Sequence, residues 1–289
     1  LKGDSSYVRS ISISKDGKTL ASGSLDNSIV LWGIHTSNNQ KDAILNTHKD
    51  WVNSVSIGSD GKILASGSKD GKIIVSDISD RKPIFTLEDN KAVNSVSISP
   101  NNQMLASGSD DPTIKIWSIP DGKLITTLTG HTDKVWSVAW SPDGKMLASG
   151  SDDKTIKIWS IPDGKLITTL TGSQGGVRSV AWHPDGTILA SGDDDNKVIL
   201  WNIQKGEKIA TFNKHKDWVI TVAWSPDGTI LASGSYDKKI KLWRMQDRKQ
   251  IATLKGHLGW VRSLTFTRDG QTLVSGSSDS TIKLWSIPE

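Results

Sequence analysis

A four-residue pattern, Leu-Ala-Ser-Gly or a near match, begins at Leu20, Leu64, Leu105, Leu147, Leu189, Leu231 and Leu273. Successive starts lie 44, 41, 42, 42, 42 and 42 residues apart, and Leu105–Gly130 differs from Leu147–Gly172 only at Pro112 against Lys154. A period of ~40–45 residues marks a repeat architecture, in which each unit is one supersecondary element that cannot bury its apolar surface alone. The 289 residues therefore do not split into two independent domains of ~150 residues, which length alone would allow.

Each unit reads as four short strands. In the fourth unit the first run is Val135–Trp140, ended by Ser141-Pro142-Asp143-Gly144. Met146–Ser151 is the second, a tight turn follows at Asp152–Lys154, and Thr155–Trp159 alternates as the third. Ile161-Pro162-Asp163-Gly164 then turns into Leu166–Leu170, the fourth. Asp-Gly and Pro-Asp-Gly between β-branched runs are hairpin chemistry, and no sustained helical period occurs. A lone four-stranded sheet of ~40 residues leaves both faces wet, whereas seven packed face to face around an axis cover them and leave only short edges. The expected fold is all-β, a seven-bladed propeller of four-stranded antiparallel blades, forming one domain over residues 1–289. The last unit stops at Ser286-Ile287-Pro288-Glu289 with no fourth strand, while Leu1-Lys2-Gly3 aligns with Leu128-Thr129-Gly130 at the end of one. A three-stranded seventh blade, in a chain cut from a larger polypeptide, is expected.

These residues resemble the WD-repeat (WD40) family of β-propellers across essentially the whole chain. The resemblance implies a hydrogen-bonded set in each blade: a His before the first strand, a Ser in the second, an Asp in the next turn and a Trp in the third. Matching residues are His131, Ser149, Asp153 and Trp159; His215, Ser233, Asp237 and Trp243; and His257, Ser275, Asp279 and Trp285. The second unit keeps His48, Ser66 and Asp70 but has Ser76 for Trp, and the first, third and fifth put Asp4, Asp89 and Ser173 at the His position. The set is chemically sensible because a buried indole N–H needs an acceptor, and a hydroxyl can accept from it while donating to an imidazole. Near-identical repeats of this kind resemble bacterial WD-repeat arrays joined to signalling modules.

Composition narrows the chemistry. With no Cys, thiolate metal sites, disulfides and cysteine nucleophiles are excluded, and a reducing, cytoplasmic setting is expected. A net charge of +4 with scattered basic residues gives no nucleic-acid footprint, and no apolar run reaches membrane-spanning length. His, Ser and Asp together can activate a hydroxyl nucleophile. Here the trio recurs in four units at one spacing, 22 residues from His to Asp, and no Ser sits in a Gly-x-Ser-x-Gly elbow. A structural network is expected, with no catalytic residue. Asp193-Asp194-Asp195-Asn196 falls where its neighbour has the turn Asp152-Asp153-Lys154, so it reads as an acidic turn rather than a cation loop. Asp16-Gly17-Lys18-Thr19 fails as a phosphate loop because Ser12 occupies the first Gly position. His35 and His183 read as solvated turn residues. No cofactor and no metal are expected.

The remaining information lies in the first strands. Residues on either side of the repeated Val are expected to share one side of the strand by its period of two. They include Tyr7, Arg9, Trp51, Lys134, Trp136, Arg178, Trp218, Trp260 and Arg262, and the resemblance implies that they form the top-face contact surface with the residue before each turn Asp. That residue is Tyr236 in the sixth unit and Asp110, Asp152 and Asp194 in the third to fifth, so a two-sided electrostatic face is expected. Trp, Tyr and Arg are the residues that carry protein-interface energy. Of the 13 Trp, six mark third strands, and Trp140, Trp182 and Trp224 end first strands; Trp51, Trp136, Trp218 and Trp260 have no copy in every unit. The expected function is a non-enzymatic, monomeric interaction scaffold or sensor for a protein or peptide. The alternative is a propeller that holds a small molecule or metal, with hydrolytic activity, in its axial channel.

Overall fold

The computed structural model describes residues 1, 6–34 and 40–287. Expectations placed on Lys2, Gly3, Asp4, His35, Pro288 and Glu289 fall outside them. Among the described residues, 27 strands form seven antiparallel sheets, each in simple meander order; six have four strands and the seventh has three. The chain is a seven-bladed β-propeller. In blade four the strands are Val135–Trp140, Met146–Ser151, Ile156–Ser160 and Leu166–Leu170. The third begins at Ile156 rather than Thr155, because the Asp153 carboxylate accepts from Thr155 N–H and holds that residue in the turn.

The turn between second and third strands demands a left-handed residue: φ is 67° at Lys154, 64° at Asn196, 66° at Lys238 and 79° at Gly71. In blade four Lys154 N–H closes this turn on Ser151 O at 3.2 Å. Pro112 has neither that N–H nor access to positive φ, so the one difference between two otherwise matching segments falls where it changes the turn.

The core lies between blades rather than within them. Ala148, Ile156, Ile158 and Leu170 of blade four meet Val177, Val180, Trp182 and Leu189 of blade five in one buried layer. Val274 and Ile282 of blade seven meet Val8, Leu20 and Trp32 of blade one in another, which closes the ring. The Gly of each Leu-Ala-Ser-Gly pattern sets the spacing. A methyl group on Gly150 would fall 2.6 Å from Val177 Cγ1, one on Gly276 2.6 Å from Val8 Cγ1, and all seven such contacts lie between 2.5 and 2.7 Å. Val177 and Val8 are the repeated first-strand valines, so every junction is a Val methyl seated on a bare α-carbon.

Polar groups complete the junctions. Val138 N–H donates to Ser95 Oγ, Val180 N–H to Ser137 Oγ and Ile11 N–H to Ser263 Oγ, each at 3.1 Å across a blade boundary. These hydroxyls satisfy inner-strand amides that have no neighbouring strand. Trp140, Trp182 and Trp224 are buried and donate their indole N–H to Ser97 O, Ala139 O and Ala181 O of the preceding blade.

In the seventh blade, Leu1 N donates to Ile282 O at 2.6 Å and Ile282 N to Leu1 O at 3.2 Å. Leu254 pairs with Ile240 at the equivalent register in blade six.

Gly150→Ala should lower stability by ~1–3 kcal/mol, the usual cost of overpacking a tight interior. Urea unfolding followed by Trp fluorescence checks this; an unchanged midpoint would mean that the blades separate freely to admit a methyl.

Candidate partner-binding face

The repeated polar set is assembled in three blades. His131 Nε2 lies 2.7 Å from Ser149 Oγ, its Nδ1 lies 2.7 Å from Asp153 Oδ2, and Trp159 Nε1–H donates to Ser149 Oγ at 2.9 Å. His215 contacts Ser233 at 2.8 Å and Asp237 at 2.9 Å, with Trp243 donating to Ser233 at 3.0 Å. His257 contacts Ser275 at 2.7 Å and Asp279 at 2.8 Å, with Trp285 donating to Ser275 at 2.8 Å. Ser149, Ser233 and Ser275 have no solvent exposure, so their hydroxyls cannot meet a substrate.

Departing blades build substitutes. In blade two the His48–Asp70 contact stretches to 3.2 Å, and Ser66 has no indole donor because Ser76 stands at the Trp position, though it keeps its contact with His48 at 2.8 Å. In blade three Asp89 accepts from Ser107 Oγ at 2.8 Å and pairs with the Lys115 ammonium. In blade five Ser173 Oγ donates to Asp193 Oδ2 at 2.7 Å, and burial pushes the Asp193 carboxyl up from its ordinary value. The acidic run here is engaged residue by residue: Asp193 accepts from two backbone amides, Asp194 meets Arg178 and Asp195 meets Lys197.

His183 corrects the expectation of a solvated side chain. Its ring packs edge-on against Trp224 at 4.8 Å, and Nε2 lies 3.2 Å from Gly228 O in the next blade. An apolar, hydrogen-bonding seat in the adjacent turn draws it in.

The first strands hold the feature that sequence alternation hid. In all seven blades the register slips immediately after the repeated Val, as between Val135 and Ser137 or Val261 and Ser263. The slip is a β-bulge, which adds one residue and re-aims its side chain. The bulged residues are Arg9, Asn53, Asn94, Trp136, Arg178, Ile220 and Arg262, and all seven line one cavity of about 470 Å³ at the mouth of the axis. The flanking residues therefore do not share a side through strand alternation, although Trp51 with Asn53 and Trp218 with Ile220 still line the same cavity. The residue before Val lies outside the strand, whereas the one after it turns inward. Trp51, Trp218 and Tyr236 reach the same cavity; Tyr7 and Trp260 line a smaller depression beside it.

Aromatic rings and cations interleave there. Trp218 stacks on Tyr236 at 5.4 Å and Tyr236 on Trp260 at 4.3 Å. Arg178 lies over Trp136 and Trp218 at 4.5 and 5.2 Å, and Arg262 over Tyr236 and Trp260 at 5.2 and 5.0 Å. On the far side Trp51 carries Lys69 at 4.0 Å and Arg9 at 5.6 Å. Trp218, Trp260 and Trp51 are nevertheless 39%, 38% and 39% exposed, and Tyr7 47%.

The face does not have a bare acidic side. Asp110 pairs with Lys134 at 3.2 Å, Asp152 with Arg178 at 3.0 Å, and Asp194 accepts Arg178 Nε–H at 2.6 Å. Sequence counting missed this because partners on neighbouring blades lie 24 to 26 residues apart, as Asp110–Lys134 and Asp152–Arg178 do, and become adjacent only when the ring closes.

Profiles of three families match the chain. One, Echinoderm microtubule-associated protein second beta-propeller, covers residues 135–289; another, Nucleolar protein 10-like, N-terminal domain, covers 22–166. The third, WD domain, G-beta repeat, covers 1–33. No individual curated protein matches. The chain belongs to the WD40 β-propeller family, whose members typically serve as protein-interaction scaffolds.

Two measurements follow from the networks. Ser149→Ala leaves the Trp159 indole and the His131 ring unsatisfied, and should cost ~1–3 kcal/mol in urea unfolding. Burial lowers His48, His131 and His257 from 6.5 against the opposing pull of their aspartates. A histidine depressed in the folded state contributes stability above pH 6.5 and loses it as pH falls. Asp237 and Asp279, raised by burial but lowered more by hydrogen bonds from His215 and from Thr281, Leu258 N–H and His257, sit at about 2 instead of 3.8. Their contribution is present above 3.8 and lost as pH falls towards about 2. Thermal unfolding should therefore weaken from about pH 6.5 downward, with a second decline below about pH 4; flat stability across both windows would contradict the assignment.

Proposed function

We propose that this propeller is a non-enzymatic scaffold or sensor domain that docks a peptide or loop of a partner protein on its top face. The observation that carries the reading is the continuous stack Trp218–Tyr236–Trp260, flanked by Arg178 and Arg262 yet exposed at both outer rings. Large rigid rings left open to water at the centre of a concave surface are the commonest anchors of protein interfaces. Burying them would add apolar contact at little conformational cost, because neighbouring cations already restrict their rotamers. The domain would work as a monomeric cytoplasmic module attached to a signalling or effector unit.

The catalytic side of the alternative reading has no support from geometry, since the candidate serines are sealed inside the blades. For metal binding, no cluster of three His, Cys, Asp or Glu side chains converges among the described residues.

The test is selection of a phage-displayed random-peptide library on the immobilised protein, followed by synthesis of the enriched sequences. Trp218→Ala combined with Trp260→Ala should weaken their binding by ~10-fold or more while shifting the melting temperature by no more than ~2 °C. Failure to enrich any peptide, or equal binding to the double variant, would sink the proposal. A collapse of the melting temperature would instead place these Trp residues in the core.

A further inference from the structure

Three arginines reach the axial cavity, and only one is neutralised. Arg178, on blade five, is held by two carboxylates at the position before the recurring turn Asp: Asp194 in its own blade and Asp152 in the preceding one. The same two positions around Arg262, on blade seven, are Ser278 and Tyr236. Around Arg9, on blade one, they are Leu25 and Ser278. Neither Arg9 nor Arg262 has a salt-bridge partner among the described residues, although both line the cavity. They stand on adjacent inner strands, Val8–Ile13 and Val261–Phe266. Arg262 Nε is buried with no acceptor, and so is Trp136 Nε1 across the mouth. Arg9 is depressed to about 10, by burial first and then by the charge of Arg262. A guanidinium that loses water needs a paired acceptor, and two side by side repel each other.

The rim adds a second constraint. The uncompensated pair is bordered by Trp260, Trp51 and Tyr7, all exposed. A lone small anion would neutralise the charge and leave this apolar border wet. A chain segment with an anionic side chain satisfies both, its tip entering the cavity while its flanks cover the rings. The wider depression at the opposite end of the sheets offers no such imbalance, because Asp227 accepts from Ser225 and Thr229, and Arg244 pairs with Asp247.

We infer that the axial mouth is an anion-binding subsite for a peptide, in which an acidic side chain of the docked segment enters between Arg9 and Arg262 while aromatic or aliphatic neighbours lie on Trp260 and Trp51. This rests on the docking reading above and specifies the chemistry of its ligand. The Glu, Asp or phosphoserine group would serve where Asp152 and Asp194 serve for Arg178.

The selected peptides provide the probe. They should carry an acidic residue beside an apolar one, and the synthetic Gln or Asn form should bind ~10-fold or more weakly. Phosphoserine in the same place should bind more tightly than Gln, and binding no tighter than Gln would overturn the subsite. Arg9→Gln and Arg262→Gln should each reduce binding of the acidic form by ~10-fold while leaving the Gln form unchanged, the signature of a direct pairing in a double-mutant cycle. Both variants should melt no lower than the parent protein, since each removes an unpaired guanidinium. Peptides that depend on Trp218 and Trp260 but are neutral or basic would overturn the anion subsite and leave the docking reading standing; no enriched peptide would overturn both. Equal loss of both peptide forms in the Arg variants, a clear fall in their melting temperature, or Arg9-dependent binding of a single-stranded oligonucleotide tighter than any peptide would also overturn it.

Discussion

The contact between a Val methyl and the bare α-carbon of a Gly in the neighbouring blade sets the geometry of the whole ring. It recurs from Gly23–Val52 through Gly234–Val261 and returns at Gly276–Val8. Because no side chain intervenes, the innermost strands approach closely enough for Ser hydroxyls to reach across and take the next strand's amide, as Ser137 does for Val180. Neither interaction is large alone. Repeated around a closed ring, they fix strand spacing, and the interblade layers of Leu, Ile and Trp fill the space that this spacing defines.

A frame held so tightly at its inner edge can vary where the strand bulges. The bulge after each Val turns one residue per blade towards the axis, and those seven positions vary (three Arg, two Asn, one Trp and one Ile) while the valines behind them are constant. Charges from neighbouring blades then meet across the opening. Asp152 and Asp194 meet Arg178, whereas Leu25, Tyr236 and Ser278 give Arg9 and Arg262 nothing comparable. The rigid part of the molecule thus resides in what the repeats share, and the proposed recognition surface in the few side chains they do not.

Much of this was legible from residues alone, and physics explains the division. The period, the strand runs and the turn residues are local: Leu166–Leu170 could be read because Pro162-Asp163-Gly164 stops one strand and starts another. The His131–Ser149–Asp153–Trp159 set could be assembled because its members keep fixed spacing within one unit. The bulge leaves only a small mark, a step of three residues from the repeated Val to the next buried apolar residue (Val135 to Val138, Val177 to Val180) where strict alternation gives two or four. Alternation alone does not say which residue is the extra one. The pairing of Arg178 with Asp152 and the seating of His183 on Trp224 also escaped, because both join different blades. The Gly of the repeated pattern was visible as a marker of period, but its reason lies in a neighbour some 30 residues away, as Gly23 and Val52 show.

The three-stranded seventh blade gives the ring an inequality that its near-identical repeats conceal. Trp243 in blade six is fully buried beneath a fourth strand, whereas Trp285, at the same place in blade seven, is only partly covered. Five junctions join four-stranded blades, while the layer closing blade seven on blade one draws on Leu1 from outside any strand. In a closed array, opening one junction releases the geometric constraint on all the others. The kinetic lifetime of the folded ring is then governed by its least reinforced seam rather than by the sum of its seven interfaces.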